Sequence, residues 1–187
     1  MAKLFFRYSA MNAGKSTSLL QIAYNYEEQG QRVVLFTAGI DDRSGVGQIA
    51  SRLGLHRPAD VFDSHTQFFE MLCLQTSLAC VLIDESQFLQ PEQVRQLHRL
   101  ANTCGIPVIC FGLRTDFLGQ PFDGATWLLG LADDIEEIKT ICNCGRKATM
   151  NIRVTSDGRR VTKGAQVEIG GNSRYRQVCA RCFYTER

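Results

Sequence analysis

The segment formed by residues 9–16 constrains the fold of this chain more than any other feature. It stands between a short apolar run at residues 4–8 and a stretch in which apolar residues recur at helical spacing. Its sequence is Ser9-Ala10-Met11-Asn12-Ala13-Gly14-Lys15-Ser16. The N–H groups at the start of such a helix have no partner within it, and together with the helix dipole they attract an anion. The pattern therefore predicts a phosphate-binding loop and a nucleoside triphosphate as ligand.

Two side chains at the end of this loop have the chemistry that a nucleotide site requires. Lys15 would supply a positive charge to the β- and γ-phosphates, and the hydroxyl of Ser16 would bind Mg²⁺. The usual pattern begins with glycine and this chain has Ser9 there, but the glycine that phosphate crowding most requires is present as Gly14. The alternative is a chance turn before a helix. The order of strand, loop and helix favours the phosphate loop.

Four apolar, strand-forming runs predict the core of the fold. They lie at residues 3–8, 32–38, 79–84 and 107–113, and helical stretches at 66–75 and 91–104 alternate with the later ones. This alternation predicts a parallel sheet covered by helices, with the carboxyl ends of all strands at one edge. Residues 39–54 are rich in Gly, Asp and Arg and predict a mobile loop. The nominal dinucleotide fingerprint at residues 45–50 is rejected, because no strand directly precedes it.

Two carboxylates follow the apolar run at residues 80–83. In a phosphate-loop protein, Asp84 can hold Mg²⁺ and the adjacent Glu85 can take the proton of an acceptor. Neighbouring side chains of an extended strand point in opposite directions, so the two groups could do separate jobs. A solvated strand end is the alternative, and the phosphate loop makes the acidic motif the better interpretation.

Eight cysteines in a chain without secretory features indicate metal binding or buried thiols rather than disulfides. Two pairs have the spacing of tetrahedral zinc ligands, although the first pair is tight: Cys142, Cys144, Cys179 and Cys182. Such a four-thiolate site would be closed and structural, and it would stabilise a tail too short to make much of a core. Buried free cysteines are the alternative for these four. The other four are predicted to be structural: Cys73, Cys80, Cys104 and Cys110.

Length and charge bound the remaining possibilities. A chain of 187 residues can bury one good core with a small appendage. Its net charge of +2 combines −6 over residues 1–138 with +8 over residues 139–187. The basic tail could bind nucleic acid, a phosphorylated small molecule or an acidic neighbour, or it could be a solvated surface. No apolar run approaches the roughly 18 residues of a membrane span, and the apolar start is too short for a signal peptide, so we expect a cytoplasmic protein.

Taken together, these motifs resemble the type II thymidine kinases, and bacterial members most closely. The resemblance rests on the phosphate loop, the run from Asp84 to Phe88, the paired cysteines, and the run from Val167 to Gly171 followed by Tyr175. It covers nearly the whole chain. It implies a recombinase-like P-loop NTPase domain at residues 1–140 and a small, β-rich domain at residues 141–187 that binds zinc and carries a lasso loop. It also implies transfer of the ATP γ-phosphoryl group to the 5′-hydroxyl of thymidine with Mg²⁺.

The resemblance assigns roles to individual residues. Glu85 would be the general base toward the 5′-hydroxyl, while Lys15 and Arg43, with Asp41 nearby, would order the phosphates. The nucleotide-binding set would comprise the loop of residues 9–16 together with Asp84, Glu85, Ser86 and Gln87. The walls around thymine would be Met11, Phe88, Leu113, Phe117 and Phe122. The lasso would contribute Val167, Ile169, Gly170, Gly171 and Tyr175.

The same resemblance implies ATP and thymidine as substrates, thymidine triphosphate as a feedback inhibitor, and a homotetramer, without membrane or nucleic-acid partners. Two other classes of function remain at this stage. One is an ATP-dependent nucleic-acid-binding protein whose basic zinc module grips the backbone. The other is a zinc module that serves only as a platform for protein interactions.

Overall fold

The computed structural model describes residues 1–41, 45–168 and 174–185. Its strands are β1 (Leu4–Tyr8), β2 (Arg32–Ala38), β3 (Gln48–Ala50), β4 (His56–Pro58), β5 (Asp60–Phe62), β6 (Leu78–Ile83), β7 (Val108–Gly112), β8 (Asp134–Glu137), β9 (Thr140–Ile141), β10 (Lys147–Ala148), β11 (Met150–Val154), β12 (Arg160–Val161) and β13 (Tyr175–Val178). Its helices are α1 (Lys15–Glu28), α2 (Phe68–Leu72), α3 (Pro91–Cys104), α4 (Asp123–Leu131) and α5 (Ala180–Thr185). A 3₁₀ turn covers Ser86–Phe88.

A six-stranded parallel sheet forms the centre of the fold, in the order β5-β2-β6-β7-β1-β8. The middle strands β6 and β7 are continuous apolar runs, as expected for strands covered on both faces. Their side chains alternate between two cores. Val81 packs with α2, α3 and α4 on one face, whereas Leu82 packs with α1 on the other. Each large apolar side chain buried in this way stabilises the fold by about 1.5–3 kcal/mol.

Local sequence signals explain where helix α3 begins and ends. Pro91 occupies the first helical turn, and Gln90 and Gln93 form a reciprocal capping box before it. Gly105 ends the helix in the left-handed conformation, with a φ of 71°. The predicted helix at residues 91–104 is therefore confirmed in both boundaries, and the predicted parallel sheet with covering helices is confirmed as the fold class.

The C-terminal part of the chain forms two small antiparallel sheets apart from the central one. Strands β9 and β10 form a two-stranded ribbon, and β11 pairs with both β12 and β13. A small core of Ile152, Val154, Val178 and Phe183 lies beside the cysteines. We call this part, from β9 onwards, the C-terminal module. The division predicted between residues 140 and 141 falls inside β9 and stays a prediction.

Two regions differ from the sequence-based expectations. The composition of residues 39–54 predicts a mobile loop, but the structure places β3 within this range, paired with β4 in an antiparallel hairpin. Helix α4 and the edge strand β8 have no counterpart among the predicted elements.

The cysteines inside the central strands confirm the prediction made for them. Cys80 and Cys110 are fully buried, and burial raises the pKa of the Cys80 thiol to about 12. None of the helices described here is both long and apolar enough to cross a bilayer.

Candidate functional site

The phosphate loop follows β1 and leads directly into α1. Gly14 adopts a φ of 83°, a conformation that glycine reaches without strain, and the helix begins at Lys15. The ammonium of Lys15 is buried and donates to Ser9 Oγ at 3.1 Å and to the Ala10 carbonyl oxygen at 3.3 Å. The serine that replaces the usual glycine therefore holds the lysine over the loop.

A hydroxyl and a carboxylate meet at the end of the loop. Ser16 Oγ donates to Asp84 Oδ2 at 2.8 Å, and Asp84 is almost completely buried. Burial, reinforced by the nearby charge of Glu85, raises the pKa of the Asp84 carboxyl to about 6. A buried carboxylate beside a hydroxyl is a donor set of hard oxygens and fits Mg²⁺. A bound dication would favour the ionised form of Asp84.

Glu85 occupies a turn that the sequence did not reveal. Strand β6 ends at Ile83, and Glu85 has a φ of 52°, which is uncommon for a residue other than glycine. The expectation that extended-strand alternation separates the two carboxylates is thus wrong, because a left-handed turn separates them. Gln87 Nε2 donates to Glu85 Oε2 at 2.5 Å and fixes the direction of this carboxylate. Such local strain is typical of functional sites.

Close backbone packing holds this turn in place. A Cβ atom on Gly112 would lie 2.6 Å from Ser86 Oγ, and one on Gly124 would lie 2.7 Å from the carbonyl oxygens of Ser86 and Leu89. Gln87 Oε1 also accepts the N–H of Leu113 at 3.0 Å. The 3₁₀ turn is wedged between β7 and α4, so Glu85 is presented on a rigid support.

Two adjoining cavities open at this edge of the sheet. The first, which we call the phosphate cavity, is lined by the loop from Met11 to Ser18, by the β3 region and by Asp84. The second, which we call the apolar cavity, is lined by residues of β11, β13 and the loops after β6 and β7. Among the described residues, four line both cavities: Met11, Asp41, Glu85 and Leu113.

The structure brings most of the predicted site residues together in these cavities. The phosphate cavity is lined by Met11, Asn12, Ala13, Gly14, Lys15, Ser16, Asp84 and Glu85. The apolar cavity is lined by Met11, Phe88, Leu113, Phe117, Phe122, Val167 and Tyr175. Phe88 and Phe122 meet edge to face there, with ring centroids 5.8 Å apart. These positions agree with the predicted roles, which themselves remain predictions.

A few predicted residues lie elsewhere. Ser9 and Ala10, the first two residues of the loop, are buried, accept hydrogen bonds from Lys15 and are not among the described residues that line the phosphate cavity. Ser86 is fully buried, and Gln87 lines the apolar cavity rather than the phosphate cavity, so the geometry does not favour their predicted contact with the nucleotide. The remaining four predictions fall outside the described residues: Arg43, Ile169, Gly170 and Gly171.

Arg153 is a buried residue of this region that the sequence reasoning missed. Its guanidinium lies 3.9 Å from the centre of the Phe117 ring, and its Nε donates to Tyr175 Oη at 3.0 Å. Its other nitrogens donate to the Ala165 carbonyl oxygen at 2.9 Å and pair with Glu168 at 3.2 Å. Arg153 therefore ties the segment before residue 169 to β11 and β13. The available signal was an arginine flanked by Ile152 and Val154 in strand β11.

The four predicted zinc ligands converge in the C-terminal module. The thiols of Cys142, Cys144, Cys179 and Cys182 lie within 4.8 Å of one another. Tetrahedral zinc holds its sulfurs about 3.8 Å apart, given Zn–S bonds near 2.3 Å. Hydrogen bonding, first of all from the backbone of Arg146, lowers the pKa of the Cys144 thiol to about 6. All four thiols can therefore reach one metal ion, and the cluster fits a structural zinc ion.

A parallel sheet with a phosphate loop after one strand and a carboxylate pair after another defines a P-loop nucleotide-binding protein. The family model described as thymidine kinase matches residues 2–183, and the chain therefore belongs to the thymidine kinase family.

Curated relatives agree with this assignment. The protein named thymidine kinase from Chromobacterium violaceum is 64% identical over 98% of this chain and 99% of its own. The thymidine kinase of Albidiferax ferrireducens is 55% identical over 100% of this chain and 94% of its own. The solved Pif1 helicase from Candida albicans matches with a TM-score of 0.44 and 16% identity, over 75% of this chain and 36% of that one.

Proposed function

We infer that this protein is a thymidine kinase, which transfers the γ-phosphoryl group of ATP to the 5′-hydroxyl of thymidine. The reaction is inferred from membership of the thymidine kinase family. The placement of the two substrates is inferred from one observation on the structure. Two carboxylates, Asp41 and Glu85, line both the phosphate cavity and the apolar cavity. Glu85 follows directly on Asp84 and is oriented by Gln87, so we propose that it is the one that would face both the donor and the acceptor. We place ATP in the first cavity and thymidine in the second.

Glu85 is proposed as the general base. The support is its place at the junction of the cavities and the hydrogen bond from Gln87 that orients its carboxylate. A base must lie within hydrogen-bond reach of the proton that it removes, and a rigid turn preserves that geometry through turnover. Removal of the 5′-hydroxyl proton would let the oxygen attack the γ-phosphorus while ADP leaves.

The donor phosphates are proposed to lie over the N-terminus of α1. Lys15 would exchange its contacts with Ser9 and Ala10 for phosphate oxygens, because an anion is the stronger partner for an ammonium. Ser16 and Asp84 would hold Mg²⁺, which neutralises charge on the phosphates when bound. Arg43 is proposed to add a further cation beside the phosphates. Phosphoryl transfer depends mainly on such positioning and charge stabilisation.

Thymine is proposed to bind among the aromatic and aliphatic side chains of the apolar cavity. A planar base gains from contact with flat rings, and the segment ending in Tyr175 would close over it with main-chain groups that read its polar edge. Within that segment we retain Ile169, Gly170 and Gly171 as proposed lasso residues. Contact with the 5-methyl group contributes only about 1–3 kcal/mol, so deoxyuridine should be a poorer but real substrate.

The remaining features are proposed on the resemblance and the cysteine geometry. Zinc would be a structural ion in a C-terminal domain at residues 141–187, beside an ATP-binding domain at residues 1–140. A cytoplasmic homotetramer inhibited by thymidine triphosphate completes the proposal. Membership of the thymidine kinase family supports phosphorylation of thymidine, rather than nucleic-acid binding or a purely interacting zinc module, as the main function.

A nucleoside panel with labelled ATP and Mg²⁺ tests the proposal. We expect the label in the 5′-monophosphate, with kcat/KM highest for thymidine, lower for deoxyuridine and much lower for deoxycytidine. Equal kcat/KM for thymidine and deoxycytidine would contradict a site built for the edge of thymine.

A further inference from the structure

Two side chains of the C-terminal module reach consecutive residues of the phosphate loop. The N–H of Met11 donates to Asn151 Oδ1 at 2.8 Å, and Asn12 Nδ2 donates to Gln177 Oε1 at 2.7 Å. The partners are separated by 140 and 165 residues in the chain. The loop is therefore held from outside the sheet that carries it.

The antiparallel ladder of the C-terminal module explains why both side chains arrive together. Asn151 on β11 and Gln177 on β13 stand directly opposite each other. Directly opposite residues project from the same face of a ladder. The next pair on that face, two residues along, is Arg153 and Tyr175. Tyr175 lines the apolar cavity, and Arg153 donates to its hydroxyl. One face of the ladder thus presents one pair to the phosphate loop and the next pair to the nucleoside side.

The backbone conformation of the loop explains why these hydrogen bonds matter. Asn12 has a φ of 65°, in the left-handed region that costs free energy for a residue other than glycine. Asparagine enters this region more readily than most other residues, and the hydrogen bond to Gln177 fixes its side chain there. Fixing residues 11 and 12 before the ligand arrives reduces the conformational entropy that binding must otherwise remove.

We propose that the pair Asn151 and Gln177 positions the phosphate loop for MgATP, so that ATP affinity depends on the C-terminal module. The proposal rests on the placement of ATP in the phosphate cavity. Among the described residues that line the phosphate cavity, neither member of the pair is found. Asn151 also lines the apolar cavity, whereas Gln177 is found on neither wall, so Gln177 offers the cleaner test.

The test replaces Gln177 and measures MgATP binding by calorimetry, with a non-hydrolysable ATP analogue so that no turnover is needed. Loss of one hydrogen bond in Gln177→Leu should raise the Kd of the analogue about 2- to 12-fold. Gln177→Glu keeps an acceptor for Asn12 Nδ2 and should bind close to wild type. Arg176→Gln changes the exposed neighbour on the other face of β13 and serves as the matched control.

A double-mutant cycle separates this positioning role from a general loss of stability. Asn12→Gly removes the same hydrogen bond from the other side and accepts the left-handed backbone. Adding Gln177→Leu to Asn12→Gly should then change the Kd less than twofold, because the partner is already gone. The Asn12→Gly variant also tests the bond if Gln177→Leu does not fold.

Two results would overturn the proposal. One is a Kd for the ATP analogue in Gln177→Leu equal to that of wild type. The other is fully additive effects of Gln177→Leu and Asn12→Gly. Failure of wild type to phosphorylate thymidine would count against the proposed function instead, because analogue binding is measured without an acceptor.

Discussion

Asp84→Asn should stabilise the ligand-free protein at neutral pH while abolishing kinase activity. The pKa of this buried carboxyl is raised from 3.8 to about 6, chiefly by burial. A group whose pKa is higher in the folded state makes folding most favourable below its unfolded pKa, and this stability is lost as the pH rises through the folded pKa. Asn carries no charge. Its amide oxygen can accept the Glu85 N–H, as Asp84 Oδ1 does at 3.0 Å, and its amide nitrogen can donate to Ser16 Oγ, which donates to Asp84 Oδ2 in the wild type.

The magnitude follows from the shift. About two pKa units at 1.36 kcal/mol each correspond to about 3 kcal/mol of destabilisation at pH 8, which Asn would remove. For a chain of this size, that equals an increase in Tm of about 6–12 °C. Near pH 4 wild-type Asp84 is protonated in the folded state, so the advantage of Asn should shrink to below about 1 kcal/mol.

The assay is urea unfolding of ligand-free wild type and Asp84→Asn at pH 8 and pH 4. Asp60→Asn on the exposed side of β5 is the matched control, and it should change the free energy of unfolding by less than about 0.5 kcal/mol. Equal stability of Asp84→Asn and wild type at pH 8, or an advantage undiminished at pH 4, would refute the argument. MgATP should raise the stability of wild type and not of Asp84→Asn.

Three further variants test separate parts of the site. Glu85→Gln should retain ATP binding but lower kcat for thymidine about 10²- to 10⁴-fold, and a near-normal kcat would remove Glu85 from the role of base. Cys179→Ser should lower both the zinc content by elemental analysis and the Tm, and an unchanged zinc stoichiometry would refute the cluster. Arg153→Lys keeps the charge but loses the planar fork, so the KM for thymidine should rise about tenfold or more while the KM for ATP stays within twofold. A parallel rise of both KM values would contradict a role confined to the nucleoside side.

Local signals made the central strands and helix α3 predictable from the sequence. Strand β6 is a continuous apolar run, and α3 carries a proline start, a capping pair and a glycine stop. The elements that were missed lack such signals. Strand β8 reads Asp-Ile-Glu-Glu and lies at an exposed edge, where no apolar run is needed. Helix α4 contains Gly124, which lowers helix propensity and is required there by close backbone packing.

The residues of the functional site also divide into those with a local sequence signal and those without one. Lys15, Ser16 and Asp84 belong to contiguous motifs whose chemistry can be read from the sequence. Arg153 and Gln177 act through the register of an antiparallel ladder, which places side chains from distant parts of the chain beside one loop. Nothing in their immediate sequence specifies that register, and only the three-dimensional structure shows their partners.

The central claim is most directly tested by ADP formation from MgATP with thymidine and, in parallel, with 5′-deoxythymidine, which lacks the acceptor hydroxyl. We predict that thymidine supports rapid ADP formation with equal production of thymidine 5′-monophosphate. We predict that 5′-deoxythymidine competes with thymidine and supports none. ADP release that is the same with either nucleoside would contradict transfer to the 5′-hydroxyl.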